Sequence, residues 1–139
     1  MGISVPGAIG AKLVHPEKKI LAVCGDGGFM MNCQEFETAL RAKTPFVTLV
    51  FNDSSYGLIK WKQMDQYGKS CCVDFTNPDF VKFAESMGAI GYRITKAEDL
   101  EPTLKKAFEQ NVPVIIDCPV DYAENTKLTA HLKELMEKL

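Results

Sequence analysis

No apolar run in this chain is long enough to cross a bilayer, and its first residues lack the charged segment and apolar core of a secretory signal. A membrane protein is therefore not expected. Nor is there an excess of basic charge. The 16 Lys and Arg face 18 Asp and Glu, for a formal net charge of −2. No basic patch interleaves with aromatics, which removes nucleic acid from the expected partners. Histidine is scarce: His15 and His131 each lack a second histidine or cysteine at ligand spacing, which argues against zinc. The five cysteines are odd in number and include no Cys-x-x-Cys pair. They fit a reducing cytoplasm better than a disulfide frame. Cys24 and Cys118 lie in or beside apolar strand runs and read as core thiols, and adjacent Cys71-Cys72 as loop thiols without a role. Internal repeats, linkers and low-complexity tracts are also missing.

What is present is enough for one domain with its own core: 139 residues, 46% of them hydrophobic. Met1-Gly2 opens directly into a small-residue segment through Ala11, which reads as the middle of a longer polypeptide. Pro6 suits the first turn of a helix to about Val14. Strands are predicted at Ile20–Cys24, Phe46–Phe51, Ile90–Ile94 and Val112–Cys118. Between them, Asn32 with Glu35 predicts a capped helix that ends before Thr44-Pro45. A further helix is predicted from about Tyr56 to Gln66, then a loop from Tyr67 to Asp74. Asn77-Pro78-Asp79 starts another, with Phe80, Phe83, Ala84 and Met87 on one face and Gly88 as its stop. Thr95 with Glu98 has the form of a capping box before a helix through Phe108. Leu128, Leu132, Leu135, Met136 and Leu139 make an apolar stripe suited to packing on the parent fold or a partner chain. Strands alternating with helices predict a parallel α/β sandwich.

Two strand ends carry the chemistry. Gly25-Asp26-Gly27-Gly28 follows the first strand and Asn52-Asp53 the second. Ligands of parallel sheets sit at such carboxyl ends. The glycines let the backbone approach phosphate and aim N–H groups at it. A helix opening near Asn32 adds a favourable dipole. Asp26 beside a diphosphate would be repulsive unless a cation intervened, and Mg²⁺ takes hard oxygen ligands from protein and phosphate together. Taken by itself, Gly-Asp-Gly is equally a turn between strand and helix. Two lookalikes fail. A Rossmann fingerprint needs glycine where Met30 stands, and a Walker loop ending at Gly68-Lys69-Ser70 needs glycine where Gln63 stands.

The pattern resembles the thiamine diphosphate motif: Gly-Asp-Gly, a spacer, then Asn-Asn or Asn-Asp. The likeness extends further. Met1-Gly2 through Ala11, Gly25 to Phe29, Asn52 to Tyr56, Phe83 to Ala89 and Pro113 to Asp117 look like acetolactate synthases. Pro119-Val120-Asp121-Tyr122 with Asn125 looks most like the catabolic, FAD-independent branch. The resemblance covers essentially the whole chain, but only the C-terminal third of such an enzyme. It implies a three-layer α/β sandwich with a mostly parallel central sheet. It also implies two pyruvates condensed to 2-acetolactate with loss of CO2, through thiamine diphosphate and Mg²⁺.

Carried over by position, Asp26 and Asp53 would bind Mg²⁺ through side chains and Ser55 through its carbonyl. Gly25, Gly27, Gly28 and the backbone near Tyr56-Gly57 would face the diphosphate. Met1 matches the bulky residue that props the bent cofactor, and a start methionine could also fall there. Related decarboxylases place a glutamate at the position of Ile59. With Leu58 it would instead form an apolar wall in the substrate pocket, or both are ordinary helix-core residues. Trp61 falls one position before a tryptophan of the biosynthetic synthases and reads as packing. The partner implied is the N-terminal pyrimidine-binding domain, from a neighbouring subunit of a homo-oligomer; it supplies the activating glutamate, so this fragment alone should be inactive. Two other readings remain. One keeps the cofactor in another carboligase, a 2-keto acid decarboxylase or a split subunit, and the other is a non-catalytic α/β binding module.

Overall fold

A computed structural model of the chain describes residues 1–122. Four parallel strands, β1 (Leu21–Gly25), β2 (Val47–Asn52), β3 (Ile90–Arg93) and β4 (Val114–Pro119), lie in the order β1-β2-β4-β3. Leu21 pairs with Val47, Val47 with Val114, and Val114 with Ile90, so all four parallel strands begin level and end within two residues of one another. The sheet's carboxyl ends therefore share one rim.

The sheet is packed on both sides, so β2 and β4 are almost wholly apolar. On one face Val50 and Ile115 meet α1 (Ser4–Val14), α2 (Asp26–Phe29), α3 (Glu35–Arg41) and α5 (Phe80–Met87), through Val5, Ile9, Phe29, Phe36, Phe80 and Ala84. On the other face Val47, Leu49, Val114 and Ile116 meet α6 (Leu100–Ala107) through Leu100, Leu104 and Ala107. Alternation along each strand produces this division. The result is the expected three-layer sandwich. Between β2 and α5, α4 (Gly57–Tyr67) runs along the surface. Among the described residues, no helix is long and apolar enough to cross a membrane.

Local signals were obeyed where they were complete. Asp79 caps α5, its Oδ1 accepting from the N–H groups of Val81 (3.0 Å) and Lys82 (3.3 Å). Gly88 (φ 85°) ends it, with Ala89 N–H donating to the Ala84 carbonyl and Gly88 N–H to that of Glu85.

Two caps differ from expectation. Asn32 does not cap α3, because residues 29–35 form consecutive backbone-bonded turns, Asn32 N–H to Phe29 O and Glu35 N–H to Asn32 O. The residue before the helix, Gln34, is itself helical in backbone angles. The helix nearest the glycine motif is instead the single turn α2. At the second site Asp99, not Glu98, takes the acid's place, accepting from Thr95 Oγ1 (2.9 Å) and Lys96 N–H (3.2 Å). The apolar stripe from Leu128 to Leu139, with Asn125 and His131, lies outside the described residues.

Candidate functional site at the strand tips

β1 delivers Asp26 to the rim as the first residue of α2, and there the carboxylate is 1% exposed. A buried carboxylate must be met by donors. Three converge on it. Gly27 N–H donates to Oδ1 at 2.7 Å, while Ser54 N–H (2.7 Å) and Asn77 Nδ2 (2.6 Å) donate to Oδ2.

Ser54 belongs to the turn after β2, which also carries Asp53. Its φ of 56° folds the chain back, so Ser55 donates to the Asp53 carboxylate from Oγ (2.9 Å) and from its N–H (3.3 Å). One three-residue turn thus binds both carboxylates. Tyr122 senses the same pair. Burial raises its phenol above the ordinary tyrosine value, and the negative charges of Asp53 and Asp26 push it the same way.

The turn is held from outside by a short antiparallel bridge. Tyr56 N–H donates to the Val73 carbonyl (2.8 Å) and Phe75 N–H to that of Ser54 (3.0 Å), with Ser55 opposite Asp74. Ser55 and Asp74 are therefore a non-hydrogen-bonded pair, and the bridge leaves the Ser55 carbonyl free. The Tyr56 and Phe75 rings pack against each other, tilted by 52° with 4.8 Å between centroids.

The glycines divide in role. A Cβ on Gly27 would lie 2.8 Å from the Tyr56 ring, so this position must be bare for the aromatic to seat, and its N–H is already committed to Asp26. Nothing stands within 4 Å of a Cβ on Gly28, which faces open space. A Cβ on Gly57 would come within 3.0 Å of Asp53 Oδ2 and 3.9 Å of Tyr122. Gly25 is extended and continues β1.

The structure therefore brings together Asp26, Gly27, Asp53, Ser55, Tyr56 and Gly57. It does not bring Met1 to them: that residue is 75% exposed, beside a Gly2 that abuts Asn32. Leu58 and Ile59 open α4 and are 68% and 48% exposed, an apolar step facing outward rather than a helix core.

Sequence reasoning missed the residues behind the carboxylates. Asn77 Nδ2 also donates to Asn52 Oδ1 (2.9 Å), and Asn52 Nδ2 to Asp117 Oδ1 (2.9 Å). Arg93 closes the row, Nε donating to Asp117 Oδ2 (2.9 Å) and its terminal nitrogen to Asp79 Oδ1 (3.0 Å). This polar line underlies the rim across all four strand ends. A lone acid in an otherwise apolar strand, Asp117 after Ile115-Ile116, was its one signal in the sequence.

As a cation site the rim offers two carboxylates, a free carbonyl and no nitrogen or sulfur. That is a hard-oxygen set suited to Mg²⁺, which keeps to one or two carboxylates and completes its shell from phosphate and water. It is not a cage of side chains: no group of three or more His, Cys, Asp or Glu gathers among the described residues.

Comparison with known proteins shows what the chain is similar to. The model of the family described as "Thiamine pyrophosphate enzyme, C-terminal TPP binding domain" matches residues 1–118. An acetolactate synthase of Bacillus subtilis is 45% identical over 130 residues, 94% of this chain and 23% of that protein. A catabolic acetolactate synthase of Raoultella terrigena is 37% identical over 98% of this chain and 25% of its own length. Among solved structures, a thiamine diphosphate-dependent 4-hydroxybenzoylformate decarboxylase of Rhodococcus jostii superposes with a TM-score of 0.82 at 27% identity, covering 89% of this chain and 24% of that one. The chain spans about a quarter of the length of each.

Proposed function

The chain belongs to the thiamine pyrophosphate enzymes, as their C-terminal cofactor-binding domain, and from that premise we propose that it forms the diphosphate end of an acetolactate synthase. In this reading Asp26, Asp53 and the Ser55 carbonyl hold Mg²⁺. Gly28 presents the open side of α2 to the diphosphate, and the backbone at Tyr56-Gly57 borders it. Asn77 and Ser54 keep the Asp26 carboxylate oriented, and the Gly27–Tyr56 contact sets how near α2 lies to the turn. Thiamine diphosphate, when bound, supplies the chemistry that takes CO2 from a 2-keto acid such as pyruvate and carries the remaining fragment to an acceptor. Leu58 and Ile59 keep acid and water away from that chemistry, which favours joining a second pyruvate over releasing an aldehyde.

The N-terminal pyrimidine-binding domain, contributed by a neighbouring subunit of a homo-oligomer, completes the site. Met1, which this domain alone leaves exposed and apart from the strand tips, would prop the cofactor only once that domain is in place. The five unpaired cysteines suit a cytoplasmic enzyme.

One observation carries the reading: two carboxylates from adjacent strand tips bound by a single turn whose own carbonyl is left free. The structural likeness to a decarboxylase supports a second reading, a 2-keto acid decarboxylase on the same cofactor. The exposed isoleucine at position 59 speaks for the carboligase.

The test is calorimetry on the full-length chain with thiamine diphosphate, with and without Mg²⁺, followed by product analysis with pyruvate. Binding is expected only with the metal, and Asp26→Ala and Asp53→Ala should each weaken it by roughly 100-fold, the scale of losing one charged ligand. Metal-independent binding, or none, would point to a non-catalytic module. Acetaldehyde in place of 2-acetolactate would select the decarboxylase.

A further inference from the structure

The loop between α4 and α5 carries the two adjacent cysteines. Both are exposed, and their sulfurs lie 3.2 Å apart. Neighbouring residues of an extended chain point to opposite faces, which would separate two such thiols. Here Cys72 takes φ 57°, a left-handed conformation that side-chain-bearing residues seldom adopt, and this turns both sulfurs to one side. The conformation is held from both directions. Upstream, Cys71 N–H donates to the Gln63 side chain of α4 (2.9 Å). Downstream, the next residue, Val73, is buried and its carbonyl receives the Tyr56 N–H.

We propose that Cys71 and Cys72 form a reversible thiol–disulfide modification site, oxidised by a low-molecular-weight disulfide and coupled to the Ser54–Tyr56 turn. One cysteine, as thiolate, attacks a sulfur of the oxidant RSSR, forming a mixed disulfide and releasing RS⁻. The neighbouring thiolate then attacks the protein sulfur and expels the second RS⁻. One S–S bond joins Cys71 to Cys72, the two thiols lose two protons and two electrons, and RSSR becomes two RSH.

Exposure admits the oxidant, and proximity makes the second step intramolecular. The hydrogen bond between the thiols raises the Cys71 thiol above its ordinary value, so the pair reacts through one thiolate at a time. Adjacent Cα atoms are about 3.8 Å apart, closer than disulfides prefer, so the ring is strained and readily reduced again. Closing it moves the backbone at Cys72, one residue from the bridge that holds the turn bearing Asp53 and Ser55. The disulfide itself does not rest on the cofactor assignment.

The full-length protein would be equilibrated across a range of oxidised to reduced glutathione, then alkylated, digested with trypsin and weighed. The peptide Ser70–Lys82 should lose two hydrogens and resist alkylation in oxidising buffer and recover with dithiothreitol, whereas in Cys72→Ser it should lose no hydrogens and stop at a glutathione adduct on Cys71. Hydrogen exchange at the Tyr56 and Phe75 amides should speed up by about tenfold on oxidation, as the bridge loosens. A wild-type peptide that stays fully alkylatable, carries glutathione instead, or pairs with another cysteine overturns the modification site. Oxidation with unchanged exchange at both amides overturns the coupling to the turn.

Discussion

Two helices flank the loop beside the site, and they are built on opposite principles. Both end at a left-handed glycine, Gly68 for α4 (φ 66°) and Gly88 for α5 (φ 85°). There the likeness stops. The shorter helix, α5, is capped by Asp79 and sinks Phe80 and Ala84 into the core, the Phe80 ring edge-on to Phe29 at 5.3 Å. The longer, α4, has no side-chain cap and buries no residue, though it carries Leu58, Ile59, Trp61 and Met64. It is held at its N-terminal turn, through the Ser54–Tyr56 bridge and an ion pair between Lys60 and Asp74 (2.8 Å). Apolar side chains kept out of the core cost the fold their burial energy. A helix that holds Leu58, Ile59 and Met64 outward on the rim of the candidate site is shaped for something the core does not supply.

The contrast is broken most forcefully at Phe80. Phe80→Ala removes a fully buried ring and leaves a cavity between α5 and α2, which should cost about 3–5 kcal/mol. Urea denaturation would show this as a lower midpoint at unchanged slope. A loss below about 1 kcal/mol would mean that α5 is not the anchor described here.

Next comes Gly91. α5 lies so close to β3 that a Cβ there would stand 2.6 Å from Val81 Cα and 2.7 Å from its carbonyl oxygen. Since the obstruction is backbone, Gly91→Ala must push the helix away, at about 1–3 kcal/mol. A neutral result would show that the helix can slide.

A smaller effect belongs to the Asp79 cap. Its carboxyl is held below the ordinary aspartate value, first by the Lys82 N–H, then by the Arg93 charge and the Val81 N–H. A depressed value means that the unfolded chain binds the proton more readily. The stabilisation is thus complete above the unfolded value of about 3.9 and is lost as pH falls through the lower folded one. Asp79→Asn keeps a capping oxygen and removes the titration. Wild type should therefore lose more stability than the variant as acid is added. Parallel acid titrations would dismiss the charge and leave only the cap.

The same pair of helices shows what a sequence discloses. The cap at Asp79 and the stop at Gly88 were legible because both act within a single turn. So were the strand ends, since Gly25-Asp26 and Asn52-Asp53 each follow their own apolar run. Asn32 misled because a cap signal is complete only if the preceding backbone is extended, and here it turns continuously from Phe29. The contacts that make the site are not local. Asn77 reaches Asp26 across 51 residues and Asn52 reaches Asp117 across 65, and no periodicity reports such pairings. Gly27 was legible as a glycine but not for its reason, because the Tyr56 ring that demands the space arrives from the turn after β2.

The smallest stability effect should come from the outward face of α4, and it sharpens the comparison most. Ile59→Ala removes a side chain that is nearly half exposed and should shift stability by no more than about 0.5 kcal/mol. If α4 keeps its apolar residues for chemistry, the price appears in product and not in folding. Ile59→Glu would place a proton donor where the proposed reaction needs none. In the full-length enzyme the ratio of 2-acetolactate to acetaldehyde should then fall by about tenfold or more, a modest part of the 10²–10⁴ that a positioned acid contributes. Pyruvate consumption should continue, since decarboxylation precedes the branch. An unchanged ratio at unchanged stability would show that Ile59 does not line the reacting centre. α4 would then be turned outward for a partner surface, and the carboligase reading would lose its discriminating residue.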